Sequence, residues 1–334
     1  MRFDLARQPL IPAFLSLVIL LSFALCNTAD GVVVPNLYGG IAPEELPIAS
    51  FGGWLEQFRA AHGGWAHTLA ALLLLTSAMT IGRMTARFKL YGISTFIAMP
   101  LFMLSMMGAM HHAGWFSATV ATTLLTLTVK NFCYSFRNGF SFDATFRGGL
   151  YLALTLLVMP KAAPLLMVLP IALVLFRRAT RENLVSICGL LLPPLAWAYL
   201  NWAFGGSFAA PFRLFWNLMI EGEWFVGVLH WSLTEQIFGG VLLLLDLFAV
   251  ALFLANSYTL STRSRHTLLF ASYLLLLVVG TAILPSADSS ILALMAVASA
   301  LLLPVLFIRI RRTLTQLLYP LLVVAALFAL LYGA

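Results

Sequence analysis

Apolar runs of about 17–25 residues follow one another along nearly the whole chain. No other feature restricts the fold as strongly, because only lipid solvates so many apolar faces at once. In lipid every backbone N–H and C=O must find its partner within the protein, and a helix does this segment by segment. Composition agrees. Of 334 residues, 62% are hydrophobic and 9% charged, with a mean hydropathy of +0.98; a soluble domain carries roughly 25% charged residues. The longest interruptions, 27–64 and 205–236, are too short and too apolar to make a soluble domain. The sequence predicts one continuous, all-α, polytopic membrane domain.

Eleven spans are expected, near 10–26, 66–82, 92–110, 115–129, 148–159, 163–176, 184–204, 237–256, 267–284, 290–307 and 314–332. Arg2 and Arg7 precede the first, as in a secretory signal, but Leu25 before Cys26 is not small and no A-x-A pattern follows. An uncleaved first span is expected. Spans 148–159 and 163–176 are short for ~30 Å of hydrocarbon, and Met159-Pro160-Lys161-Ala162-Ala163-Pro164 divides them. Charge makes them two spans meeting at an outer turn. Counted so, sixteen of the nineteen Lys and Arg residues lie on inner loops, and only Arg59, Lys161 and Arg213 lie outside. Merging the pair would put every basic loop after Arg147 on the wrong face, against the positive-inside bias. The N-terminus is therefore expected in the cytoplasm and the C-terminus outside. The net charge of +7 is then the signature of cytoplasmic loops and not of nucleic-acid binding.

Both outer loops are aromatic. In the first, Phe51-Gly-Gly-Trp-Leu-Glu-Gln-Phe-Arg predicts a helix lying at the interface, with Trp54, Leu55 and Phe58 on one face and Glu56 and Arg59 off it. The second carries Phe212, Phe215, Trp216, Trp224, Phe225 and Trp231, a belt at headgroup depth or a surface that handles a lipid. The two loops are expected to pack together over the outer mouth, since so much apolar surface does not stay in water. Cys26, Cys133 and Cys188 are far apart without CxxC spacing, which argues against a disulfide framework or zinc site. Adjacent His111 and His112 point in different directions, so one metal rarely takes both. No metal or cofactor is expected.

The most distinctive stretch opens with Phe142-Asp-Ala-Thr-Phe-Arg-Gly-Gly-Leu and continues through a short span to the Pro160-Lys161 turn. A second short span follows, then Phe176-Arg-Arg-Ala-Thr-Arg-Glu-Asn and Gly189-Leu-Leu-Leu-Pro-Pro-Leu. It resembles a family of uncharacterised bacterial multi-pass inner-membrane proteins. More distantly, it is similar to GT-C-type polyprenyl-phosphate-dependent glycosyltransferases, in which a Gly-Leu-Ala-x-Leu-Thr-Lys-Pro segment, an apolar span, an Arg-rich turn and another span recur in this order. Those enzymes also place long outer loops after spans one and seven. The resemblance implies a GT-C-like module over 1–236, with outer loops 27–64 and 205–236, followed by a four-span helical segment over 237–334. It implies multi-pass residence in the bacterial inner (plasma) membrane, with membrane lipids and a polyprenyl-phosphate-linked saccharide as partners. Its catalytic carboxylate follows the first span, where this chain has Asp30 and then Glu44 and Glu45.

Each candidate also has a plainer structural role. Asp30, Glu44 or Glu45 would be the general base, or cap a turn and a helix first turn. Lys161 and Arg213 would hold the lipid phosphate, or snorkel. Only a fixed anionic partner makes basic residues favourable on that face. Asp246, in the midst of Leu-Leu-Leu-Leu-Asp-Leu-Phe, is an intramembrane carboxylate, either a proton or cation site or a hydrogen-bonded core group. The leading expectation is sugar transfer from a polyprenyl-phosphate-linked donor at the outer face. The alternative is a non-enzymatic component, either a structural subunit of an envelope complex or a small-solute carrier using Asp246.

Overall fold

The computed structural model describes residues 8–28, 51–111, 114–134, 141–220, 228, 231–284 and 287–332. Among them the chain is helical throughout, without a strand. The order is α1 (Leu10–Cys26), α2 (Phe51–Ala61), α3 (Gly63–Phe88), α4 (Ala98–Met107), α5 (Trp115–Tyr134) and α6 (Phe142–Val158). A 3-10 helix (Pro160–Met167) leads into α7 (Val168–Leu175), followed by α8 (Thr180–Ala203), α9 (Ala210–Ile220), α10 (Leu233–Ala255), α11 (Thr262–Ala282), α12 (Ile291–Arg309) and α13 (Arg312–Tyr332).

Six helices are long and apolar enough to cross a membrane: α3, α8, α10, α11, α12 and α13. Their outward faces are apolar: Leu184, Leu191, Leu195 and Tyr199 on α8, and Leu244, Leu247 and Phe248 on α10, are exposed. A water-facing surface of this kind would aggregate; a lipid-facing one is solvated. The chain is a membrane protein.

At the centre stands α12, buried at every residue from Ile291 to Phe307. Beside it lies α4, with all ten of its residues buried among α1, α3, α12 and α13. The sequence expectation of a span over 92–110 meets a difference here. A ten-residue helix rises about 15 Å, half the hydrocarbon thickness. The chain before it turns through Lys89 and Gly92, both at positive φ. The Tyr91 hydroxyl donates to the Leu301 carbonyl at 3.0 Å, and the Phe96 amide to the Gln8 carbonyl at 3.2 Å. Leu90, Tyr91 and Thr95 of this segment are buried in protein, while Lys89, Gly92 and Ser94 are exposed.

Where spans were expected over 148–159 and 163–176, the chain forms α6 and then the 3-10 helix and the eight-residue α7, and it doubles back between them. Arg178, after α7, donates to the Ser141 hydroxyl before α6 at 3.1 Å. Glu182, at the start of α8, accepts from the Ser141 amide at 2.6 Å. The chain therefore leaves this end of the bundle along α6 and returns to it along α7, with Pro160 and Lys161 at the far end. Two glycines set the approach of α6 to α8. A Cβ on Gly149 would fall 2.2 Å from the Ser186 carbonyl oxygen, and one on Gly189 would fall 2.3 Å from that of Phe146. Small residues at such crossings let backbones meet. The Gly-Gly-Leu and Gly-Leu-Leu-Leu motifs are thus the two halves of one helix crossing.

Cations close the exposed carbonyls of α5. Arg178 donates to the Phe132 carbonyl at 3.3 Å and Arg263 to that of Cys133 at 3.4 Å, where the helix dipole favours positive charge. Burial pulls the Arg178 guanidinium below its ordinary value, opposed by the Glu182 carboxylate.

Helix α2 forms as read; its buried face carries Glu56 and Arg59 with Leu55, while Trp54 is 50% exposed. The physical reason is the solvent. At a lipid boundary an aromatic face needs no protein cover, whereas an ion pair does. Arg59 donates to Glu56 at 2.7 Å, and the other Glu56 oxygen accepts from the Ser117 amide at 2.8 Å. That amide is an unsatisfied donor in the first turn of α5, so the carboxylate also meets the positive end of the helix dipole.

Candidate functional site

Helices α6 and α8 diverge from their glycine crossing toward the Pro160 turn, and a cavity of about 200 Å³ opens between them. Ala153, Leu156 and Leu157 of α6 form one wall, and Leu190, Leu191, Pro194 and Trp197 of α8 the other. Pro160 and Leu166 floor it. The outer loops supply the cover. Phe51 of α2 meets Trp197 edge-on, with ring centroids 5.6 Å apart, while Pro211, Phe212 and Phe215 of α9 complete the lining. Both loops thus contribute aromatic side chains to one cavity, Phe51 from the first and Phe212 and Phe215 from the second, and it is Trp197 of α8 that Phe51 meets. Sequence explains its position. Pro160 and Pro164 withhold amides that would carry α6 onward as a helix, so the chain turns, and Pro211 suits the first turn of α9. Every lining residue is apolar, so the cavity suits a hydrocarbon chain and offers no group for acid–base chemistry.

Lys161 stands next to that floor but does not line the cavity. Its ammonium donates to Asp288 at 2.9 Å, with the side chains 14% and 21% exposed. The other Asp288 oxygen accepts from the Ser290 hydroxyl. The fixed anionic partner that its placement demanded is a protein carboxylate. Charge places Asp288 with the outer acidic residues but does not pair it with Lys161, although it is the only acidic residue between α11 and α12. Arg213 is exposed on α9 and likewise does not line the cavity. Asp30, Glu44 and Glu45 lie outside the described residues.

Asp246 is fully buried on α10 and accepts from the Ser299 hydroxyl of the central helix. Its second oxygen has no hydrogen-bond partner among the described residues. His67 is a structural link: its two ring nitrogens meet the Gly63 carbonyl at 2.8 Å and the Thr28 hydroxyl at 2.9 Å, tying α1 to α3. Among the described residues no group of three His, Cys, Asp or Glu side chains is placed to hold a metal.

The chain matches no family model, no curated protein and no solved structure.

Proposed function

We propose that this is a GT-C-like membrane protein of eleven spans that seats the hydrocarbon chain of a lipid-linked saccharide beneath its outer loops. The observation that carries the reading is the wholly apolar cavity closed by Phe51 from one loop and by Phe212 and Phe215 from the other. A carrier lipid needs an apolar slot opening beside the surface where its headgroup is handled, and the α6–α8 cleft under two interfacial helices is such a slot.

Sugar transfer needs a free outer carboxylate in addition. Glu56 is held by Arg59 and the start of α5, and Asp288 by Lys161 and Ser290. Both are already engaged by protein partners. The resemblance assigns the catalytic carboxylate to Asp30, Glu44 or Glu45. The test uses a photoreactive isoprenyl phosphate with the purified protein. It should label Leu190, Trp197 or Phe212, and Ala153→Phe, which fills the slot, should abolish labelling while the protein stays monodisperse. Labelling spread evenly over the lipid-facing surface would remove the reading. Asp30→Asn, Glu44→Gln and Glu45→Gln variants that label normally but leave the host's surface glycans unchanged would leave a lipid-binding component without catalysis.

Asp246 supports a second reading, a proton- or cation-coupled carrier, because a desolvated carboxylate oxygen has no partner among the described residues. An Asp246→Asn variant that labels normally and performs as wild type in the host would exclude it.

A further inference from the structure

At the end of the bundle where α3 and α5 finish and α6 begins, a second cavity of about 690 Å³ is open to the surface. Arg83 and Arg87 of α3, Lys130 of α5 and Arg147 of α6 surround it. Among the described residues the one carboxylate in the lining, Asp143, is engaged by Arg147 at 2.9 Å. Cations therefore outnumber carboxylates in the described lining. The wall between them is apolar, formed by Met84, Phe88 and Phe96. Behind it the Arg263 guanidinium lies 3.6 Å over the Phe88 ring, adding a fifth cation to the field.

The positive-inside bias requires basic residues at this end, but not their convergence. Arg177, Arg181, Arg265 and Arg311 meet that requirement without lining the cavity. Gathering like charges from three helices around one space costs repulsion that an anion in the space would reverse. The hollow lies within the usual size range of small-ligand sites, about 300–1,000 Å³. It has room for a phosphate together with the group that carries it. Guanidinium forks match phosphate oxygens, and Lys130 adds a point charge.

We infer that this cavity binds a phosphate-bearing anion, held by Arg83 and Lys130. The chemistry is shared by the headgroup of an anionic phospholipid and by a soluble phosphate ester. It is independent of the apolar slot, which lies toward the opposite end of α6.

The test uses full-length protein, delipidated in nonionic detergent. Native mass spectrometry reads retention of phosphatidylglycerol against phosphatidylcholine, and thermal shift reads binding of inorganic pyrophosphate. Phosphatidylglycerol preferred, and not displaced by pyrophosphate, supports the lipid source. Stabilisation by pyrophosphate without lipid preference supports the soluble one. In either case Arg83→Gln with Lys130→Gln should weaken binding about thirtyfold, from the usual contribution of two surface charges. Arg83→Lys with Lys130→Arg should keep it. Arg265→Gln with Arg311→Gln, basic residues outside the cavity, should bind as wild type. Absence of binding by both anions, or equal weakening in the Arg265/Arg311 variant, would overturn the inference.

Discussion

Glu56 shows how lipid inverts the usual reading of a side chain. It lies off the aromatic face of an interfacial helix and is buried against Arg59 and the first turn of α5. Truncating one member of such a pair leaves an uncompensated buried charge. Glu56→Ala should cost about 3–5 kcal/mol, and Glu56→Met with Arg59→Met should recover most of it. Thermal denaturation in detergent measures both; equal loss in the single and double variants would refute the pairing. Cys133 gives a second residue-scale prediction. It lies beyond the expected span 115–129, and burial pushes its thiol up to about 12, against the lowering influence of Thr267, Arg263 and Arg178. The thiolate is the reactive species. In a protein whose other two cysteines are serine, Cys133 should resist maleimide at pH 8 in mild detergent and react once SDS unfolds the chain. The folded thiol should gain reactivity only as pH approaches 12.

Among elements, the crossing of α6 and α8 makes the sharpest demand. Carbonyl oxygens stand 2.2–2.3 Å from where a Cβ would sit, so the helices have to part even for alanine. Gly149→Ala should cost about 1–3 kcal/mol by overpacking, and Gly149→Leu should prevent assembly, read as lost protein in the membrane fraction. The same substitutions at Gly240, where a Cβ meets open space, should be close to neutral. The long apolar helices were legible in the sequence because length and hydropathy suffice to define them. Helix α4 was not, because ten residues buried in protein and a span buried in lipid share one composition. Neither was the Lys161–Asp288 pair, whose members are 127 residues apart in the chain. The apolar slot could be anticipated only as two aromatic loops; which residues line it depends on where α6 and α8 diverge. The basic cavity was hidden because its residues satisfy the orientation bias whether or not they converge.

For the whole molecule, the expected topology follows from the basic loops. A reporter fused at Thr180 should signal cytoplasmic exposure, and one at Ala334 should signal the outside. A cytoplasmic signal at Ala334 would mean an even number of crossings. The location of α4 bears on biosynthesis. It enters the bilayer early in translation, yet the helix that covers it, Ile291–Arg309, is among the last to be made. Ten apolar residues are too few for the translocon to hold as a span. Until residues 291–332 arrive, this segment is an unfinished surface that only chaperones or neighbouring lipid can shelter. The end of the chain therefore acts as a quality-control latch for its beginning, and a truncation after Ala282 is expected to be degraded by membrane proteases despite carrying eleven complete helices.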